Sequence, residues 1–306
     1  MPSADSATVD VVIVTWNSAP DLRACIESLP AECRVIVVDN GSDDDSAELA
    51  ASLHAHVIAL DHNTGFAAAV NVGLGHVTSD IVLLLNPDVV VGSGAIERCI
   101  AVLSGDPSIG LVGPNTVQQN GRPEPPAARR DRRPMHIVLE SLGLTHLHPW
   151  FDRQTIRERS HDGDVDAVNG AFMLMRTDVL RSLGGLDDSV FMYLEDADLC
   201  RRVRDGGYRV RFVSTAHVVH SFGTSTRRGN PDAQARAYIH RLDADVELMR
   251  RYGGRGAAGI ALFAYLVRSL LGLVVSVARK DRRLRYREAL RWTVRQRRGR
   301  QAPPAV

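Results

Sequence analysis

The sequence of 306 residues predicts an α/β fold: a mostly parallel central sheet flanked by helices, followed by a helical C-terminal extension. Over the first hundred residues, short β-branched runs alternate with helix-spaced segments, which is typical of a parallel sheet. The runs are apolar throughout, as in strands that are buried on both faces. Beyond about residue 230 the apolar spacing is helical only.

The predicted elements follow this order along the chain. Strands are predicted at residues 9–15, 34–38, 56–60 and 81–85, with helices at 19–29, 44–53 and 66–75 between them. A strand pair, or a strand entering a turn, is predicted at 165–176, then helices at 178–183 and 195–205 and a strand at 208–213. Residues 115–165 are rich in Pro, Arg and Gly with little periodicity, so we expect this stretch to be functional or partly disordered.

Composition narrows the class of protein. A net charge of +1 gives the whole chain no field that would attract nucleic acid. The four cysteines have no zinc-site or redox spacing, so we expect small buried side chains in a reducing compartment. The first eight residues do not resemble a signal peptide, and a cytoplasmic location is expected.

The C-terminal part differs from the rest in charge and hydropathy. Residues 257–278 contain one charge, Arg268, and residues 279–300 hold eleven Arg and Lys against two acidic residues. Three interpretations remain open for 257–278: an amphipathic helix on anionic lipid, a helix packed on the catalytic domain, or a membrane span. We predict a catalytic domain over 1–230, with a donor half at about 9–114 and an acceptor half at about 115–230, and a membrane-associating region over 231–306.

Three predicted strands end in polar clusters: residues 15–17, 39–42 and 86–88. In parallel sheets, ligands bind outside the carboxyl ends of the strands. Asp39 stands at a strand end, where a carboxylate can accept the imide N–H of uracil or thymine. Helix capping explains Ser42 or Asp43, but it explains Asp39 less well because Asp39 lies before the turn. Asp88 follows a proline that must end its strand, and a carboxylate placed there suits Mg²⁺ or Mn²⁺.

Two further groups lie in the second half. Glu195, Asp196 and Asp198 open a predicted helix, where acidic residues are favoured by the helix dipole, but three carboxylates in four positions exceed what a cap requires. His220 ends a Val-Val-His run and is a candidate further ligand for a divalent ion.

Taken in order, seven motifs resemble those of the family-2 glycosyltransferases, which have the GT-A fold. They are Val-Thr-Trp-Asn (14–17), Val-Asp-Asn-Gly-Ser (38–42), Asn-x-Gly-Phe (63–66) with Asn71 and Gly73, Asn-Pro-Asp (86–88), Asn-Gly-Ala (169–171), Glu-Asp-x-Asp-Leu (195–199) and His-x-x-Gly-x-Ser (220–225). The resemblance covers about residues 9–226. Asn86 departs from it, because the family's metal motif usually begins with aspartate.

The resemblance implies an inverting transfer from a nucleotide-diphosphate sugar, with Mg²⁺ or Mn²⁺ as cofactor. It implies that Asp196 is the catalytic base and that Asp88 and His220 bind the metal. Residues implied at the nucleotide are Thr15, Asn17, Asp39, Asn63, Gly65, Asn71 and Asn86. Residues implied to support the site or the acceptor are Trp16, Asn169, Glu195 and Asp198.

The motifs are most similar to the branch that transfers L-rhamnose from dTDP-rhamnose to a polyprenyl-diphosphate-linked GlcNAc. A polysaccharide acceptor and UDP-sugar donors, such as UDP-galactofuranose or a UDP-hexose, remain alternatives. The expected partners are the donor, the acceptor and an anionic membrane surface, with the protein peripheral on its inner face. A nucleotidyltransferase is disfavoured, because no lysine precedes residue 280 and no Gly-rich basic loop follows the first strand. A non-catalytic sugar-nucleotide-binding protein is disfavoured by the joint presence of Asp88, Asp196 and His220.

Overall fold

A computed structural model describes residues 9–118, 128–146, 155–156, 161–189, 193, 195–221, 231–275 and 280–298. The chain forms two compact units: residues 1–131, 155–191 and 195–222, and residues 132–154, 192–194 and 223–306. Residues 132–154 therefore group with the C-terminal helices, and the predicted domain boundary near residue 230 stays a prediction. Predictions for residues 191–192, 222–225, 276–279 and 299–300 lie outside the described residues.

The first unit is built on a nine-stranded sheet with a small three-stranded sheet beside it. The strands are β1 (Val9–Thr15), β2 (Arg34–Asp39), β3 (His56–Ala59), β4 (Ile81–Leu85), β5 (Val89–Val91), β6 (Ile109–Val117), β7 (Ala128–Arg129), β8 (Thr155–Ile156), β9 (Gly163–Asp164), β10 (Ala167–Val168), β11 (Phe172–Arg176) and β12 (Arg209–His220). The large sheet has the order β3-β2-β1-β4-β11-β6-β12-β5, with β9 paired to β12, and the small sheet has the order β10-β7-β8.

Six of the nine strands in the large sheet run in the same direction, which confirms the predicted fold class. β1 runs parallel to β2 and β4, β2 to β3, and β12 to β6. Three strands run the other way: β11 lies between β4 and β6, β5 lies at the edge beside β12, and β9 also pairs with β12. The carboxyl ends of β1, β2, β4 and β12 therefore lie along one edge of the sheet.

Nine helices are described: α1 (Ala19–Glu27), α2 (Ser46–Ser52), α3 (Phe66–Leu74), α4 (Ala95–Gly105), α5 (Pro134–Ser141), α6 (Thr177–Ser182), α7 (Glu195–Asp205), α8 (Pro231–Val275) and α9 (Lys280–Arg298). Sequence reasoning did not identify β5, α4 or β6, and it found no regular structure at 115–165, where α5 forms. β12 extends to His220, seven residues past its predicted end at Val213, because it goes on pairing with β6 and then pairs with β5.

The core of the first unit lies on both faces of the sheet. Val12 and Val14 of β1 pack into one apolar cluster, while Val11 and Ile13 pack into the other. This alternation follows the two-residue period of a strand, and it explains why β1 is apolar at every position except Asp10 and Thr15.

The second unit is helical, and α8 is broken at Gly254, whose φ is 75°. The two parts of α8 pack against α5 and α9 through Ile137, Leu242, Tyr265 and Trp292, among others. One helix, Gln234–Val275, is long and apolar enough to cross a membrane by length and composition alone.

Arg268, the charge inside the apolar stretch, is neutralised within this unit. Its guanidinium lies 2.9 Å from Glu140 of α5, and Arg132 lies 2.8 Å from the same carboxylate. Burial alone would raise the pKa of Glu140, but the charges of Arg132 and Arg268 outweigh it and lower the pKa to about 2. One face of this part of α8 is therefore a packing face within the second unit, and the three interpretations of residues 257–278 stay predictions.

Candidate active site

The ends of β1 and β2 are joined by a compact set of hydrogen bonds. The carboxylate of Asp39 accepts from the backbone N–H of Ser42 (3.2 Å) and from its hydroxyl (2.5 Å). The Ser42 hydroxyl also accepts from the N–H of Asn17, whose φ is 51°, and Asn17 Oδ1 accepts from the N–H of Asp43. Each Asp39 oxygen keeps one lone-pair direction, so the carboxylate can still accept the N–H of a bound base.

Asn40, the next residue, was not identified as a site residue from the sequence. Its side-chain oxygen accepts from the N–H and the hydroxyl of Thr64, and its NH₂ group donates to Asn63 Oδ1 and the carbonyl of Gly65. The side chain is buried with all its hydrogen-bonding capacity used. It therefore fixes the loop at 63–65 to the end of β2, and Asn63 Oδ1 also accepts from the N–H of Gly65.

Gly41 belongs to the same turn, where the backbone conformation and the close packing both favour glycine. Its φ is 73°, in the left-handed region, and a Cβ built there would lie 2.7 Å from the Cα of His62. The Val-Asp-Asn-Gly-Ser pattern therefore encodes a turn that packs directly on the next loop.

The Asn-Pro-Asp turn brings Asp88 to His220. His220 pairs with Val89 across β5 and β12, and Asp88 Oδ1 lies 3.1 Å from His220 Nε2. The Asp88 and His220 side chains are 14% and 5% exposed. Two residues that are distant in sequence therefore meet at the carboxyl edge of the sheet.

The side chains of Asp88 and His220 offer donor atoms for a metal ion. A carboxylate oxygen and an imidazole nitrogen suit a divalent ion such as Mn²⁺. Within the described ranges, no group of three or more His, Cys, Asp or Glu side chains is placed to hold a metal. A bound ion would therefore complete its coordination with water and diphosphate oxygens, which is how Mg²⁺ is usually held at phosphate sites. On that basis Asp88 and His220 fit the predicted metal.

Asp196 lies in the first turn of α7 and is held on three sides. Its Oδ2 accepts from Arg129 Nη2 of β7 and from the N–H of Gly170 (3.0 Å), and its Oδ1 accepts from the N–H of Ala197 (2.7 Å). Arg129 also donates to the carbonyl of Val168 at 3.0 Å, which fixes the guanidinium. Sequence reasoning missed Arg129, because it lies in the stretch without readable periodicity.

The Asn-Gly-Ala segment links Asp196 to the Asn-Pro-Asp turn. The N–H of Asn86 donates to the carbonyl of Ala171 at 3.0 Å. The residue before Ala171 is Gly170, whose N–H donates to Asp196. A Cβ on Gly170 would lie 3.0 Å from the Cβ of Asp196 and 3.2 Å from its Oδ2, so a larger residue there would have to displace Asp196 slightly. Asn169 shapes this segment by accepting from the N–H of Ala171.

The two other carboxyls of this motif differ in environment. Glu195 Oε2 is buried and has no hydrogen-bond partner among the described residues. Burial first, and then the charge of Asp196, raise the pKa of Glu195 to about 7. Asp198 instead accepts from Arg202 at 2.7 Å, and Arg202 donates to the carbonyls of Leu183 and Gly185.

The remaining predicted site residues have the following positions. Asn71 exchanges two 2.8 Å hydrogen bonds with the backbone of Leu186, so its amide ties α3 to the turn after α6. Thr15 is fully buried, whereas Trp16 and Asn17 are half-buried at the end of β1. The predicted roles of the site residues in binding and catalysis stay predictions.

Comparison with known proteins adds to this geometry. Residues 10–184 match the family described as Glycosyl transferase family 2. The chain is 30% identical over 266 residues to an N-acetylglucosaminyl-diphospho-decaprenol L-rhamnosyltransferase of Mycobacterium tuberculosis, a match that covers 80% of this chain and 85% of that protein.

Two solved structures show the same fold. The mannosyltransferase PcManGT of Pyrobaculum calidifontis, in complex with GDP-Man and Mn²⁺, matches with a TM-score of 0.53 at 16% identity, over 94% of this chain and 86% of that chain. The glucosyl-3-phosphoglycerate synthase of Mycobacterium tuberculosis, solved with Mn²⁺ and UDP, matches with a TM-score of 0.54 at 17% identity, over 81% of each chain. At such low sequence identity the similarity shows the fold alone, and that fold is the GT-A arrangement expected from the sequence.

Proposed function

The chain belongs to glycosyl transferase family 2, and from that premise we propose that it is an inverting rhamnosyltransferase. Its donor would be dTDP-rhamnose, and its acceptor a polyprenyl-diphosphate-linked GlcNAc or a related cell-wall glycan. One observation carries the catalytic part of the proposal: residues 169–171 link the Asn-Pro-Asp turn to Asp196 through two consecutive backbone contacts. The donor and acceptor rest on the similarity to the mycobacterial enzyme.

The proposed chemistry follows from the side chains at this edge. Asp88 and His220 would hold Mg²⁺ or Mn²⁺, which when bound neutralises the charge that grows on the leaving diphosphate. Asp196 takes the proton of the acceptor hydroxyl while the new bond to the anomeric carbon forms and the bond to the diphosphate breaks. Attack on the face opposite the leaving group converts a β-linked donor into an α-linked product.

Donor choice is the part that needs a direct test. Asp39 would accept the imide N–H of the base, and uracil and thymine present the same edge to it. UDP-galactofuranose and UDP-hexoses are therefore the alternatives. We expect dTDP-rhamnose with Mn²⁺ to raise the melting temperature most in a panel of nucleotide sugars, and to support transfer to a polyprenyl-diphosphate-GlcNAc. A larger shift and transfer with a UDP-sugar would replace the donor assignment while keeping the enzyme class.

We also propose that the second unit binds an anionic membrane surface, on the cytoplasmic side, where a lipid-linked acceptor would lie. Phe263, Val274 and Val275 are 58%, 73% and 85% exposed on α8. On α9 four arginines are exposed at four-residue spacing: Arg283, Arg287, Arg291 and Arg295. That spacing places them along one side of the helix, and cations beside apolar side chains favour the surface of an anionic bilayer.

Sedimentation with vesicles tests this surface. Replacing Arg283, Arg287 and Arg291 by Gln should reduce co-sedimentation with phosphatidylglycerol vesicles about tenfold or more, since each basic residue near an anionic surface contributes about 1 kcal/mol. Phe263→Ser combined with Val274→Ser should reduce it further. Arg23→Gln with Arg98→Gln, which changes two exposed arginines of the first unit, is the matched control. Equal sedimentation of all variants would remove the membrane from the proposal.

A further inference from the structure

Glu195 and Asp196 are neighbours at the start of α7, yet their surroundings are opposite. Asp196 pairs with the guanidinium of Arg129 and with one backbone N–H on the same oxygen. Glu195 Oε2 is buried without a hydrogen-bond partner in the described part of the chain. Two carboxylates that share a site repel each other, so the partnered one keeps its charge and the other keeps a proton.

We propose that Arg129 is a positioning residue that decides which carboxyl is ionised: it holds Asp196 as the carboxylate and leaves Glu195 as the neutral acid. The inference rests on the proposed role of Asp196 as catalytic base. Arg129 lies outside the family motifs, whereas Glu195 and Asp196 belong to one motif and would carry different protonation states.

The contacts also indicate which oxygen of Asp196 accepts the acceptor's proton. Each carboxylate oxygen offers two lone-pair directions. Among the described residues, Oδ2 receives both Arg129 Nη2 and the N–H of Gly170, whereas Oδ1 receives only the N–H of Ala197. Oδ1 is therefore the oxygen with room for the acceptor hydroxyl. The side chains of Arg129 and Asp196 are 14% and 12% exposed, so solvent screens their attraction little.

The charges around Glu195 agree with this division. Its pKa of about 7 reflects burial first and the Asp196 charge second, with Arg129 acting against both. Burial raises the pKa of Cys200 to about 12, so that thiol stays neutral, and Arg204 is paired with Asp131 at 2.5 Å. β10, which packs on α7, contributes only Ala167 and Val168 and no titratable side chain.

The sign of the pH effect follows. A general base works only when it is ionised, so activity is lost as the pH falls and the base takes up a proton. Without Arg129 no cation offsets the repulsion between the two carboxylates, and a negative charge at this site costs more. The acidic limb of the kcat profile is therefore expected at higher pH.

Arg129→Gln tests this prediction, with Arg129→Lys as the variant that keeps the charge. We expect Arg129→Gln to lower kcat about tenfold at pH 7 and to move the acidic limb up by about one pH unit, since a nearby opposite charge shifts a carboxyl by one to three units. The KM for the donor should change less than about twofold, and Arg129→Lys should recover most of the shift. Arg201→Gln, which alters another arginine–aspartate pair on α7, is the matched control.

A ¹³C-carboxyl NMR titration provides a readout that needs no substrate. We expect the Glu195 carboxyl to titrate near pH 7 in the unmodified protein and at higher pH in Arg129→Gln. A Glu195 carboxyl that is already ionised well below pH 7 would overturn the inference, as would kcat profiles that superimpose. If dTDP-rhamnose supports no transfer but the titration is as expected, only the donor assignment fails.

Discussion

The two halves of the candidate site are held in place by different kinds of contact. Around Asp39 and Asn40 the side-chain partners in the described residues come from the loops that follow β1, β2 and β3, at most 26 residues away. Asp196, in contrast, is paired with Arg129, which lies 67 residues earlier and on the small sheet. The proposed donor half is therefore encoded by local motifs, whereas the electrostatics of the proposed catalytic half depend on a contact that no motif contains.

This difference predicts different consequences of substitution. In the donor half the polar side chains are mostly engaged with one another, so their loss should affect stability and donor binding. In the proposed catalytic half the side chains would contact the reacting groups, so their loss should affect turnover. The following experiments test that division, from the largest expected effect to the smallest.

Asp196→Asn should have the largest effect, a loss of kcat of about a thousandfold, which is the usual contribution of general-base catalysis. An amide cannot take a proton from the acceptor hydroxyl, but it occupies the same space. Donor binding, measured by thermal shift, should survive. Asp205→Asn, at the exposed end of the same helix, is the control, and near-normal turnover of Asp196→Asn would show that the base lies elsewhere.

Asp88→Ala should have the next largest effect, a loss of kcat/KM of about 100-fold. The metal would lose one of its proposed ligands, and a bound metal stabilises the charge on the leaving diphosphate by several kcal/mol. The loss should appear equally as weaker Mn²⁺-dependent donor binding. Glu32→Ala removes an exposed carboxylate between α1 and β2 and should have no such effect. Full activity of the unmodified protein in excess EDTA would contradict a role for the metal.

Asn40→Ala should have the smallest effect on chemistry but a clear one on folding. It removes four hydrogen bonds from a buried position, and we expect the free energy of unfolding to fall by about 2–3 kcal/mol. Urea denaturation measures this. Asn115→Ala, at a half-buried amide with one 3.5 Å side-chain contact, should cost less than about 1 kcal/mol. Equal destabilisation by the two variants would argue that Asn40 does not anchor the loop at 63–65.

Much of the fold could be predicted because its signals are local. β1 and α7 have their predicted bounds, and β2, β3 and α1 differ by one or two residues at their ends. β5 was missed because three valines after a proline turn are too short a run to distinguish from a turn. α5 was missed because it lies between Pro-rich and Arg-rich stretches that hide its spacing.

The sequence by itself determined the parallel sheet, the polar clusters at its carboxyl ends and the motifs around Asp39, Asp88 and Asp196. These depend on residue periodicity and on turn residues, which act over a few positions. The tertiary structure decided how these residues are held: His220 contacts Asp88, as the metal roles implied for both require, and Arg129 pairs with Asp196, which no motif implied. The first contact arises because β5 and β12, far apart in the chain, are neighbours in the large sheet. The second joins β7 of the small sheet to the start of α7, and no local pattern specifies either pairing.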